Sequence, residues 1–290
     1  MRQTEERYIS LLTDFGFKRI FGTKLNKSLL ISFLNSLFAG EQVIRDVKYL
    51  NSEHVGDVFA ERKAIFDVYC ENERGEKFIV EMQNAYQTFF KDRSLYYATF
   101  PIREQASKGM DWNFKLEHVY VVALLNYDMS DPAFSDASIN HDVGLLDKST
   151  HRVFNDKFTF KYVEISKFDK SEDLLVTDFD KWLYVLRNLS RLDRQPKHLQ
   201  SKVFDRLFEE AEIAKFTKAE LREYEDSLKA YRDIKNSLDS AEEKGLIKGR
   251  AEGRAEERAT MIKSMLSNGM SLADIAKFTG LSSDEIKSLL

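Results

Sequence analysis

Cysteine, proline and glycine are all scarce in this chain of 290 residues. The single cysteine, Cys70, can form neither an internal disulfide nor a cysteine-based zinc site. Three prolines and 12 glycines exclude collagen-like, proline-rich and largely disordered architectures. No apolar run approaches the length of a bilayer span, and the opening MRQTEERYIS lacks the apolar stretch of a secretory signal. A cytoplasmic chain with no membrane partner is the expectation. Bulk positive charge is missing too. Lys+Arg 44 against Asp+Glu 48 gives a net charge of -4, so no globally basic surface points to nucleic acid. What is present is 43% hydrophobic residues, 22 of all residues being Phe, enough for the cores of about two helix-rich domains.

Between Thr13 and Phe38, apolar residues at three- and four-residue steps predict two helices broken near Gly22. Short segments rich in β-branched and aromatic residues follow at Val47–Val55, Ala64–Cys70 and Phe78–Met82, with Glu73-Arg74-Gly75 as a hairpin loop. Helical spacing returns from Phe89 to Gly109. The run between His118 and Asn126 is continuously apolar, as in a strand buried on both faces. A turn-rich stretch from Asp131 to Asp156 then leads to a strand over Lys157–Ser166 and a helix from about Asp173 to Leu192. Beyond Pro196 the spacing is helical throughout. Leu221, Tyr224, Leu228, Tyr231 and Leu238 lie near heptad positions, and Gly245, Gly249 and Gly253 recur every four residues. Each such glycine costs a helix about 1 kcal/mol against alanine, so the repeat reads as a charged linker or as a stripe for close helix approach.

The informative pair is Asp67 in AIFDVYC and Glu81 in FIVEMQN. In a hairpin centred on Arg74 the two are equidistant from the turn, hence directly opposite, and Gln83 shares their face. Opposed like charges destabilise a ladder. Acids near turns are also common on solvated faces, but these two are flanked by Phe66, Val68, Ile79, Val80 and Met82, where a carboxylate needs a partner. A hard divalent cation is the natural one. Mg²⁺ takes carboxylate oxygens and water, and lowers the pKa of that water.

The series Asp14-Phe-Gly-Phe17-Lys18-Arg-Ile-Phe21-Gly22, Phe66-Asp67-Val68, Val80-Glu81-Met-Gln83 and Arg93-Ser-Leu-Tyr-Tyr97 resembles the Rpn family of recombination-promoting, transposase-type nucleases in the PD-(D/E)XK superfamily. The likeness covers about residues 10–190. It implies an α/β fold, a PD-(D/E)XK nuclease-like core with a mixed central sheet flanked by helices, followed by an all-helical C-terminal region. It also implies a DNA endonuclease using Mg²⁺, Mn²⁺ or Ca²⁺ to activate water, acting in bacterial DNA recombination or transposition. Asp67, Glu81 and the Met82 carbonyl would be the metal ligands, and Asp14 an auxiliary acid, although an acid at a helix start also complements the helix dipole. Gln83 stands where the superfamily usually has lysine. It can hydrogen-bond a water but offers no cation, leaving that charge to Lys18, Lys63 or Arg93. Tyr97, one turn after Arg93, would contact phosphate beside it or brace the helix.

The segment Met270–Leu290 reads as two short helices joined at Gly280, with Ser271 capping the first and Ser282 with Glu285 forming a capping box for the second. This resembles a helix-turn-helix. Its second helix opens Ser-Ser-Asp-Glu with Lys287 as its cation, a charge pattern that phosphate repels, so DNA reading, partner docking and homo-oligomer formation through the C-terminal helical region all stay open. The expected division is a nuclease-like domain over 1–192, a helical hairpin and Gly/charge-repeat linker over 197–260, and a helix-turn-helix-like module over 261–290. The five histidines show no ligand spacing, and no Gly-rich phosphate loop is present. A catalytically inactive DNA-binding or regulatory protein on the same fold is the alternative that Gln83 motivates. Residues 1–40 carry six Lys/Arg against three acids, 41–81 six against ten, and 86–115 five against three. The acidity is local to the hairpin, where a cation would bridge it to DNA.

Overall fold

A computed structural model describes residues 6–54, 64–106, 113–134 and 137–289. The chain divides into two compact units, Met1–Arg232 and Asp233–Leu290.

The first unit is built on a mixed six-stranded sheet in the order β1-β4-β5-β6-β8-β7. Its strands are β1 (Val47–Tyr49), β4 (Val68–Asn72), β5 (Lys77–Gln83), β6 (Val119–Leu125), β7 (Asn140–Leu146) and β8 (Val153–Glu164). The pairs β1·β4, β4·β5 and β7·β8 are antiparallel, whereas β5·β6 and β6·β8 are parallel. A parallel neighbour requires a crossover, which α3 (Phe90–Glu104) provides between β5 and β6. A separate two-stranded piece pairs β2 (Glu53–His54) with β3 (Ala64–Ile65).

Every residue of β6 is buried, as its apolar run predicts. Its alternate side chains enter two different cores. Tyr120, Val122 and Leu124 join Phe78 and Val80 of β5 and the cluster of Phe17, Phe21, Phe33, Trp182 and Phe204, contributed by α1 (Asp14–Phe21), α2 (Lys27–Leu37), α4 (Asp178–Asn188) and α5 (Lys202–Glu210). Val121, Ala123 and Leu125 join Ile79, Phe66, Tyr69, Phe90, Ala98 and Tyr162 on the α3 side. Helices therefore cover both faces, the architecture that burying a parallel ladder requires. Cys70 is a fully buried core residue.

The stretch expected to be turn-rich contains β7, and β8 begins at Val153 rather than Lys157. Gly144 and the surrounding register shifts break the alternation of this edge strand, and most of it is exposed, which removes the apolar signal. The hairpin loop is where the sequence puts it. Asn72 Oδ1 accepts the Arg74 and Glu76 N–H groups at 3.0 Å each, and Gly75 takes a φ of +80° that glycine adopts without strain.

The helix α6 (Lys218–Ser267) includes Gly245, Gly249 and Gly253, and an added Cβ at any of the three would meet nothing within 4 Å. In the second unit, the end of α6, α7 (Leu272–Thr279) and α8 (Ser283–Ser288) close a small core of Ile262, Ile275 and Ile286. Ser271 caps α7, Gly280 ends it at φ +72°, and Ser282 and Glu285 form the reciprocal capping box of α8. Among the described residues no helix is long and apolar enough to cross a membrane.

Candidate active site

The hairpin β4–β5 brings Asp67 and Glu81 together. The ladder pairs Val68 with Val80, so the continuing register sets Asp67 opposite Glu81, as their equal distance from Arg74 predicts. The ladder stops there. In place of a further strand pair, Asp67 Oδ2 accepts the Met82 N–H at 2.8 Å, and Glu81 Oε1 accepts the Asp67 N–H at 3.1 Å. Glu81 lies inside β5, but Asp67 sits at a bend one residue before β4, because its carboxylate does the accepting that a strand carbonyl would otherwise do. N–H and C=O of one strand residue point the same way, so the Met82 carbonyl is aimed at the Asp67 side as well.

Burial, and then the charge of Asp67, pushes the Glu81 carboxyl up to about 8. Burial likewise raises Asp67, against the Met82 hydrogen bond and the charge of Lys18. Neither acid has an ion-pair partner within 4 Å among the described residues. Two opposed carboxylates with an adjacent carbonyl are oxygen donors of the kind hard divalent cations take, and the repulsion that raises Glu81 is what such a cation would relieve. The residues therefore fit a divalent metal. The described residues contain no group of three or more His, Cys, Asp or Glu that could hold a metal, so a bound cation would complete its shell with backbone oxygen and water.

Two cations flank the pair from opposite sides. On α1, Asp14 follows the cap Thr13 and holds Lys18 at 2.7 Å, one turn along. Burial works to lower the Lys18 pKa, but Asp14, Asp67 and Glu81 outweigh it and the net direction is up. On α3, Arg93 donates through Nη2 to Gln83 Oε1 at 2.6 Å and through Nη1 to Gln87 Oε1 at 2.5 Å. Its guanidinium lies 5.0 Å from the Phe90 ring centroid and 5.6 Å from that of Tyr97. The Arg93 Nε is buried and without a hydrogen-bond partner among the described residues. Gln83 thus carries no charge itself but holds one that α3 supplies. Tyr97 packs against Phe66 at 5.2 Å, and burial, then Glu81, raises its hydroxyl's pKa. Lys63 lies outside the described residues.

The structure thus gathers Asp14, Lys18, Asp67, Glu81, Met82, Gln83, Arg93 and Tyr97 around one sheet end. Spacing gave no sign of the groups that fix α1 there. Asn84 Nδ2 donates to Leu12 O at 2.7 Å, Phe15 N–H donates to Ser227 Oγ at 3.0 Å and Ser10 N–H to Tyr224 Oη at 3.1 Å. The tight seat explains the glycine between Phe15 and Phe17, since a Cβ on Gly16 would fall 2.1 Å from Ser10 O. Gln87, the second acceptor of Arg93, is equally silent in the sequence.

The mixed sheet with helices on both faces is a nuclease-type core, and comparison with known families bears that fold out. Residues 11–241 match the PD-(D/E)XK nuclease family transposase, and the chain belongs to that family. Residues 263–290 match the C-terminal HTH domain of the Rpn/YhgA-like nuclease family, so the small three-helix core of the second unit is a helix-turn-helix of the Rpn type. No curated protein and no solved structure matches the chain.

Proposed function

We propose that this chain is a divalent-cation-dependent DNA endonuclease of the Rpn type that hydrolyses phosphodiester bonds at the Asp67–Glu81 pair. The observation that carries the reading is the pair itself: two partly buried carboxylates, held face to face by each other's strand, with cations on both flanks and no ion-pair partner among the described residues. Asp67, Glu81 and the Met82 carbonyl would hold Mg²⁺, Mn²⁺ or Ca²⁺. When bound, such an ion polarises a phosphate and lowers the pKa of coordinated water.

The chain's own side chains do the rest. Gln83 fixes the guanidinium of Arg93 at the place where the superfamily uses a lysine, so the charge that meets the developing phosphorane comes from α3 rather than β5. Asp14 acts as a positioning residue, tethering Lys18 where its ammonium can take a non-bridging phosphate oxygen. Tyr97 braces Arg93. We assign catalysis to the compact unit that runs to Arg232, a linking role to the Gly/charge repeat that follows up to residue 260 and DNA or partner contact to the helix-turn-helix module of 261–290, in a bacterial cytoplasmic protein of DNA recombination or transposition that self-associates through its C-terminal helices.

Purified protein is expected to nick plasmid DNA with Mg²⁺ or Mn²⁺, and Asp67→Ala and Glu81→Ala each to abolish nicking. Equal cutting by all three proteins would sink the site assignment. A second reading, a DNA-binding regulator without turnover, rests on the neutral Gln83. It requires metal-independent binding and no cutting under any cation.

A further inference from the structure

The connection from β5 to α3 carries two large aromatic side chains that no core takes up. Tyr86 is 54% exposed and Phe89 73% exposed. A chain advances at most about 3.6 Å per residue, so at three and six residues past Gln83 both rings lie within reach of nucleotides flanking a phosphate at the carboxylates. Tyr86 packs edge-on against Tyr127, centroids 5.7 Å apart at 84°. Phe89 is the cap residue of α3 and its carbonyl accepts the Arg93 N–H at 2.9 Å; residues four apart share a helix flank, so Phe89 stands on the Arg93 side. Its neighbour Phe90 is buried beneath the Arg93 guanidinium, which anchors the backbone that presents the exposed ring.

Fixed aromatic rings beside a positive groove are how sequence-tolerant nucleic-acid channels grip a strand, the ring stacking on a base and the cation taking the phosphate. Arg93 supplies the cation here, and residues 86–115 carry five Lys/Arg against three acids, which favours a polyanion over an apolar protein partner. Within an intact duplex the base faces are already stacked on one another. Free faces exist in single strands, gaps, flaps and frayed ends.

We infer that Tyr86 and Phe89 form a stacking platform that makes DNA with unpaired bases beside the scissile phosphate the preferred substrate over intact duplex. The inference rests on the nuclease reading for its chemistry, but platform binding needs no cleavage. The test uses full-length Glu81→Gln, measuring by fluorescence anisotropy its affinity for a labelled oligothymidine of about 16 nucleotides, for an abasic strand of that length and for a duplex of that length. Expected are about tenfold tighter binding of oligothymidine than of either competitor, and collapse of that preference in Phe89→Ala and Tyr86→Ala with retention in Phe89→Trp. Duplex or abasic strand bound as tightly as oligothymidine, or alanine variants that leave the preference intact, would overturn the platform. Cleavage by the unmodified chain, run in parallel, judges the nuclease reading separately. A stacking preference without cutting removes only that reading, and cutting without the preference removes only the platform.

Discussion

Glu71 and Glu76, near the turn of the β4–β5 hairpin, each have a cation paired to them, whereas Asp67 and Glu81 at its mouth have only backbone N–H donors and each other. At the turn Glu76 accepts from Asn72 Nδ2 at 2.6 Å and Arg74 Nη2 at 2.8 Å, Glu71 is ion-paired with Lys77, and Glu73 accepts the Asp46 N–H at 3.2 Å. At the mouth the strands converge two carboxylates in a drier place, and the proton affinity of Glu81 climbs as a result. The same strands and the same residue type give opposite outcomes. What separates Glu71 and Glu76 from Asp67 and Glu81 is a paired cation, present at the turn and replaced at the mouth by backbone N–H donors alone. Two acids converged in a buried position with no paired cation among the described residues mark chemistry rather than scaffolding.

After the loss of either carboxylate, the largest expected effect again tests the mouth. Arg93→Leu removes the charge that Gln83 holds in place and should lower turnover about 10²-fold, read from nicking rates, with far-UV circular dichroism unchanged. A smaller effect on turnover than on fold would make Arg93 a structural brace rather than the charge that meets the phosphate. Next comes stability. The Glu81 carboxyl binds its proton more tightly in the fold, at about 8, than at its ordinary 4.5. The folded state then holds the extra proton, so metal-free stability falls as pH rises from about 4.5 through about 8. Glu81→Gln has no such loss. Its metal-free melting temperature should exceed the parent's by several degrees at pH 8.5 and match it near pH 4, and saturating Mg²⁺ should raise only the parent. A parent curve flat across that window would show that the repulsion is relieved some other way. The smallest effect belongs to the turn. Glu76→Gln should cost about 0.5–1.5 kcal/mol in urea unfolding and leave nicking untouched, so lost cleavage there would erase the contrast between the two ends.

Much of this was legible beforehand. The register of β4–β5 follows from the spacing of Asp67 and Glu81 about Arg74, and the ladder from Val68↔Val80 to Glu71↔Lys77 carries it. The caps at Ser271 and Ser282 and the turn at Gly280 are local chemistry and sit where the residues say. Asp14 and Lys18 are four apart on a helix, so their pairing is written in the spacing too. What stayed hidden is non-local or unpatterned. The Arg93–Gln83 bond crosses from a helix to a strand, the seat of α1 depends on Tyr224 and Ser227 some 200 residues away, and β7 is an exposed edge whose Gly144 and bulges blur its alternation.

The hydrogen bond from the Met82 amide to Asp67 has one more consequence, for tolerance to insertion and deletion. Both acids take their positions from the ladder that runs back toward the loop, not from the loop itself. Residues added between Asn72 and Lys77 lengthen only the tip, while one residue removed between Val68 and Glu71 turns Asp67 to the opposite face and uncouples it from Met82. The hairpin is thus a caliper whose jaws are set by its arms, with a handle whose length does not reset them.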